Sequence, residues 1–158
     1  MMSTDDTLSV SRIIKASPQS VFQVLLDSTT MPAWRAPDGM KAEILAFEPR
    51  VGGAFRIALT YTTADHALPG KTSAHTDVAC GRFRELVPGE RIVEAIEFES
   101  DDPAMAGIMV LTTTLTPVPG GTEVTVAVRN APAGVKPSDH ELGVTLTLRN
   151  LANFVEHQ

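Results

Sequence analysis

Apolar and polar residues alternate along most of this chain, and that alternation predicts β-strands. The clearest example is 54–61, where one face carries large apolar or aromatic side chains: Phe55, Ile57, Leu59 and Tyr61. The same period of two, bounded by turns rich in glycine and proline, predicts further strands at 8–15, 41–47, 73–86, 92–98, 108–115 and 123–129. Because no helical pattern separates the strands in the middle of the chain, the sheet is expected to be antiparallel.

Two short helices are predicted after the first strand. Ser17 and Pro18 supply a capping hydroxyl and a proline at the first helical position, before an apolar face that starts with Val21 and Phe22. A second helical turn is expected over 30–34.

A long helix closes the chain, from about Asp139 to Glu156, with Ser138-Asp139 as its start signal. At about 100° per residue, its main apolar stripe consists of Val144, Leu148, Leu151 and Val155. Thr147 lies beside this stripe. Leu142 and Leu146 point to another side of the helix. A covering loop or a second subunit, forming a homodimer, is therefore predicted there.

This order of elements predicts an α+β fold of the helix-grip type. A curved antiparallel sheet of six to seven strands would wrap around the long C-terminal helix, with the two short helices after strand 1. The length suits a single domain over residues 1–158, with an ordered core at about 8–157. A sheet curved around a helix tends to enclose a cavity, and the small Val, Ala and Thr residues among the core candidates favour one.

Charge and composition narrow the classes of function. The chain has 13 Lys and Arg against 19 Asp and Glu, a net charge of −6 without a basic cluster, so nucleic acid is excluded as a partner. Cys80 is the single cysteine, which suits a reducing compartment. The polar N-terminus lacks a secretory pattern, and no apolar run is long enough to span a membrane. We therefore expect a cytoplasmic protein.

Several short motifs occur in an order typical of one superfamily. They are Ala16–Phe22, Trp34–Gly39, Arg50–Arg56, Gly81–Pro88, Gly120–Thr122 and Asp139–Gly143. With these motifs the chain, over about 8–157, resembles the START-like or SRPBCC helix-grip superfamily. The branch it is most similar to is named after the C-terminal domain of the activator of the heat-shock-protein-90 ATPase. The resemblance implies the fold, but the superfamily hosts lipid carriers, receptors, cyclases, hydrolases and co-chaperones.

The leading functional interpretation is binding of a small apolar or amphipathic molecule between the C-terminal helix and the sheet. The predicted ligand-binding residues are Trp34, Met40, Phe55, Ile57, Leu59, Tyr61, His75, Asp77, Phe83, Met109, Leu111, Val144, Thr147, Leu148 and Leu151. Among them, Tyr61, His75 and Asp77 would supply the few polar contacts that orient a ligand. Residues 34–39 would form part of the entrance. No cofactor is expected.

An enzymatic alternative is a hydrolase or cyclase acting on a hydrophobic substrate. His75 and Asp77 are two residues apart on a predicted strand, so they share a face, and Asp77 would orient His75 as a general base. They share this parity with Phe83, so the face is the inner one unless a bulge at Gly81 shifts the register. A polar pair in water at the open end of the strand is favoured over the catalytic interpretation. Glu94 and Glu97 lie on opposite faces of their strand, so one of them can point inward. A carboxylate buried in an apolar pocket would have a raised pKa and could act as a general acid. A position in water, at the sheet edge or the cavity mouth, is favoured instead.

The remaining interpretations concern a metal site, the role of Cys80 and a protein partner. The candidate metal ligands show no recognised spacing, so no metal site is predicted: Asp65, His66, His75, Asp77, Cys80 and His140. Cys80 is expected to be a small buried side chain. The resemblance leaves open a third function, a partner protein similar to a chaperone regulator and active in the stress response.

Overall fold

Seven strands form one antiparallel sheet in the order β1-β7-β6-β5-β4-β3-β2. The computed structural model describes residues 6–36, 39–62 and 76–157. In chain order the elements are β1 (Asp6–Ile14), α1 (Pro18–Leu25), α2 (Met31–Trp34), β2 (Met40–Phe47), β3 (Ala54–Tyr61), β4 (Thr76–Val87), β5 (Arg91–Phe98), a 3-10 turn (Pro103–Met105), β6 (Met109–Val118), β7 (Gly121–Arg129) and α3 (Pro137–Glu156). The curved sheet, long closing helix and two short helices confirm the predicted α+β helix-grip fold.

The strand register decides which side chains face α3. β3 pairs with β4 without interruption, and Leu59 lies opposite Asp77 while Phe55 lies opposite Gly81. Asp77 and Phe83 therefore share the inner face, as the sequence predicts. The irregularity in β4 lies further along, between Phe83 and Glu85, where the pairing with β5 shifts.

Gly81 is required by close packing. A Cβ atom at this position would overlap the backbone oxygen of Ala95 and would lie 2.7 Å from the ring of Phe55. The absent side chain leaves room for that ring on the inner face. The pairing of β4 with β3 is regular on both sides of Gly81.

We expect Gly81→Ala to destabilise the fold by about 1–3 kcal/mol, because the new methyl group must displace backbone atoms of β5. Gly143→Ala is the matched control: a Cβ there meets nothing within 4 Å. Since alanine favours a helix over glycine, the control should gain about 0.5–1 kcal/mol. Urea unfolding of both variants measures the two effects, and equal changes would contradict this account of Gly81.

Proline is the first residue of both α1 and α3. In α1 the Ser17 hydroxyl accepts a hydrogen bond from the Ser20 amide at 3.1 Å, as predicted. In α3 the predicted start at Ser138-Asp139 is wrong: the helix begins at Pro137, and Lys136 is the capping residue. Proline at the first helical position has no amide that needs a partner, so the helix extends back to it.

α3 packs its apolar stripe against the sheet and α2. Its buried residues are Leu148, Leu151, Ala152 and Val155. Val144 is half-buried, while Leu142 is 58% exposed. In the part of the chain that the structure describes, no helix is long and apolar enough to cross a membrane.

Candidate functional site

A cavity of about 510 Å³ lies between α3 and the inner face of the sheet. Every predicted ligand-binding residue that the structure describes borders it: Trp34, Met40, Phe55, Ile57, Leu59, Tyr61, Asp77, Phe83, Met109, Leu111, Val144, Thr147, Leu148 and Leu151. His75 lies outside the described residues. Most of the wall is apolar because the inward positions of β3, β5 and β6 carry mainly aliphatic and aromatic side chains.

Aromatic side chains brace one part of the wall. The ring of Phe83 lies 5.1 Å from that of Phe55 and 5.6 Å, edge-on, from that of Phe47. Such tilted and T-shaped pairs are favourable beyond the area they bury. The three rings therefore form a stiff surface on strands β2, β3 and β4.

Trp34 closes another part of the wall. Its side chain is only 2% exposed, and its indole N–H donates to the Thr30 hydroxyl at 3.4 Å. α3 holds the end of α2 in place, since Asn150 Nδ2 donates to the carbonyl of Ala36 at 3.0 Å. The single hydrogen of the Thr147 hydroxyl is shared between the carbonyl of Gly143 at 3.0 Å and the carbonyl of Arg35 at 3.5 Å.

An ion pair interrupts the apolar lining. Arg35 Nη2 lies 3.7 Å from Glu94 Oε2, and both residues border the cavity. Glu94 is 6% exposed, so the solvated position favoured from the sequence is wrong. Burial raises the pKa of the Glu94 carboxyl, and the Arg35 guanidinium opposes that rise.

The sequence did contain a signal for Glu94. This residue has the same strand parity as Ile92 and Ile96, and both of these are buried. Glu97, one step out of that parity, is exposed. Arg35 carried no comparable signal, because its place depends on how α2 docks on α3.

The raised pKa of Glu94 predicts a pH dependence of stability. Above the ordinary glutamate pKa, the folded state holds this proton more tightly than the unfolded state. The free energy of unfolding should therefore fall, relative to Glu94→Gln, as the pH rises through the folded-state pKa, by at most about 1.4 kcal/mol per pH unit. Denaturant unfolding at a series of pH values from the ordinary glutamate pKa upward gives the comparison.

Glu97→Gln is the control, because it removes a carboxylate from the same strand but from the exposed face. Parallel pH curves for the wild type and Glu94→Gln would contradict the assignment of this dependence to Glu94.

A second polar group of residues borders the cavity around Tyr61. Burial raises the pKa of the Tyr61 hydroxyl, and the nearby carboxylates of Asp77 and Asp139 raise it further. Asp77 is 6% exposed and lies on the inner face, as its parity predicts, so the favoured position in water is wrong for this residue. Lys136 and His140 of the α3 start also border the cavity.

The enzymatic alternative stays a prediction, since His75 lies outside the described residues. Among the residues that are described, no cluster of three or more His, Cys, Asp or Glu side chains is arranged to hold a metal ion. Cys80 is half-buried on the outer face, not in the core as predicted, because its strand parity is opposite to that of Phe83. Burial, followed by Glu99 and Glu97, raises the pKa of the Cys80 thiol, which disfavours a reactive thiolate.

Leu142 and Leu146, predicted to need a cover, border the cavity. Leu146 is half-buried, and Leu142 is the more exposed of the two. Their place beside the cavity is unexpected, because helical geometry alone puts them off the main stripe. The predicted homodimer contact through them stays a prediction.

Comparison with known families gives one match over most of the chain. A family model described as Activator of Hsp90 ATPase homolog 1-like protein matches residues 15–156. No curated protein matches the chain. The family match confirms the resemblance read from the sequence motifs.

Solved structures extend the match. A protein from Chromobacterium violaceum is 30% identical, with a TM-score of 0.83, over 94% of this chain and 96% of that one. A protein from Rhodobacter sphaeroides is 22% identical, with a TM-score of 0.74 over 99% and 96%. The AHSA1 protein from Silicibacter pomeroyi is 16% identical, with a TM-score of 0.73 over 94% and 96%. The last two, at lower identity, are evidence for the fold alone.

Proposed function

The chain belongs to the family of Activator of Hsp90 ATPase homolog 1-like proteins, and from this premise we propose that it binds a small apolar or amphipathic molecule in the cavity between α3 and the sheet. The observation that carries the proposal is the size and lining of that cavity. Its volume of about 510 Å³ falls within the range of small-molecule sites, roughly 300–1,000 Å³.

A cavity of this size is too large to be a packing defect. Removing one large side chain from a protein core leaves about 150 Å³. Core side chains normally interdigitate without gaps larger than a water molecule. A space about three times as large as a single missing side chain, lined mainly by apolar residues, instead suits a ligand that supplies the missing contacts.

Entry of the ligand is assigned to the first half of α3. Leu142 is 58% exposed yet borders the cavity, so an apolar molecule can contact it before reaching the buried wall. Gly143 lies beside it, and no atom outside its neighbours and its own helix backbone comes within 4 Å of the Cβ position. The homodimer predicted at Leu142 and Leu146 would cover the same surface through which the ligand would enter. The number of subunits in solution distinguishes the two possibilities.

Trp34 provides the test, because it is the sole tryptophan and borders the cavity. Titration with 1-decanol, below its solubility limit, should change the Trp34 emission in a saturable way. At a ligand concentration of about 100 times Kd, the protein should gain about 2.7 kcal/mol of stability. A linear, unsaturable signal together with an unchanged melting temperature would refute the proposal.

Regulation of a chaperone is the alternative that the family's description offers. It predicts that this chain binds a purified heat-shock-protein-90 chaperone in a pull-down. It also predicts that cavity variants leave that binding unchanged. Small-molecule binding predicts the reverse, since its contacts lie inside the cavity.

A further inference from the structure

We propose that the ligand is an apolar molecule carrying one un-ionised hydroxyl group, and that this hydroxyl binds between Arg35 and Glu94. The inference rests on the proposed function and names the ligand class. It starts from the ion pair of these two residues, which lies in the mainly apolar wall of the cavity.

The geometry of the pair leaves hydrogen-bonding capacity unused. At 3.7 Å, Arg35 Nη2 and Glu94 Oε2 attract each other as charges but are too far apart for a direct hydrogen bond. Glu94 is 6% exposed, and the Arg35 side chain is 20% exposed. Hydrogen bonds to charged groups are among the stronger ones in proteins. A ligand group placed between the two side chains would satisfy both.

The surroundings of the pair define the rest of the ligand. On the inner face, Glu94 lies opposite Leu111 across the β5–β6 pairing, with Ile92 and Ile96 two positions away along its own strand. The centroid of the Trp34 ring lies 6.0 Å from the guanidinium carbon of Arg35. The polar spot is therefore small and enclosed by apolar groups, which suits a single polar head on an apolar body.

Charge balance selects a neutral head group. Arginine stays protonated, and Glu94 is the partner that offsets its charge. A ligand carboxylate would be repelled by Glu94, and an ammonium group would be repelled by Arg35.

A hydroxyl group matches both partners at once. It can donate its proton to Glu94 Oε2 and accept a hydrogen bond from Arg35 Nη2. An ether or ketone offers acceptors only, and it leaves an ionised Glu94 without a donor.

Four probes that share a ten-carbon chain test the head group, with Trp34 fluorescence as the readout: 1-decanol, decyl methyl ether, decanoate and decylamine. Because hydrogen bonds to charged groups are strong, 1-decanol should bind the wild type about tenfold or more tightly than the ether. In Glu94→Leu the ether should still bind, and the preference for the alcohol should disappear. In the near-isosteric Glu94→Gln, which guards against misfolding of the leucine variant, that preference should fall severalfold.

Glu97→Gln is the matched control and should keep the full preference, since Glu97 is exposed on the other face. Equal affinities of the alcohol and the ether for the wild type would overturn the hydroxyl inference while leaving the proposed function standing. Tightest binding of decanoate or decylamine would also overturn it, in favour of an ionised head group. Saturable binding of none of the four probes would instead defeat the proposed function itself.

Discussion

Replacing Ala79 with phenylalanine should weaken binding of an apolar ligand at least tenfold while the protein stays folded. Ala79 lies on the inner face of β4, opposite Ile57 and Phe98, and borders the cavity. A phenyl ring there takes space that the ligand would otherwise fill. Each CH₂ group that can no longer be buried costs about 0.8 kcal/mol, so excluding two or three of them reaches a tenfold loss.

Ala46→Phe is the control for this substitution, because Ala46 is exposed and does not border the cavity. It makes the same chemical change outside the site, and its affinity should equal that of the wild type. Fluorescence titration of Trp34 measures both variants. A wild-type affinity in Ala79→Phe, with circular dichroism showing a native fold, would place the ligand elsewhere.

Replacing Leu151 with alanine should cost about 2–5 kcal/mol of the free energy of unfolding. Leu151 is 1% exposed on the stripe of α3 that packs against the sheet, so its loss removes buried apolar area and leaves a void. For a domain with a typical stability of about 5–15 kcal/mol, this is a large fraction of the total. Urea denaturation at one pH gives the value from the shift of the midpoint.

Leu142→Ala is the matched control on the same helix. Leu142 is mostly exposed, and substitutions at such positions change stability by about 0.5 kcal/mol or less. A large loss from Leu142→Ala in the same assay would show that another surface covers this residue in solution. That result would support the homodimer predicted at Leu142 and Leu146 over the entry route.

The fold could be predicted because its signals are local. Alternation along β3, the Ser17-Pro18 helix start and the stripe on α3 each depend on residues a few positions apart, and the structure contains all three elements. The parity of Asp77 with Phe83 follows from the same period of two. A bulge at Gly81 was the main threat to it, and the β3–β4 pairing is regular there.

The polar part of the site was harder to predict because it depends on tertiary packing. The period of two places Glu94 on the same face as Ile92 and Ile96. Burial of a carboxylate is nevertheless unfavourable unless another group offsets its charge. The offsetting charge comes from Arg35, which α3 places through contacts 112 and 114 residues apart in sequence, made by Thr147 and Asn150. For that reason Arg35 was not among the predicted ligand-binding residues.

Native mass spectrometry, before and after addition of saturating 1-decanol, tests the central claim most directly. If the cavity between α3 and the sheet binds one apolar molecule, the wild-type spectrum should show a one-to-one adduct, and Ala79→Phe should show little or none. The same spectrum counts subunits. A bare wild-type mass in the presence of decanol, or equal adducts on the wild type and Ala79→Phe, would contradict the claim.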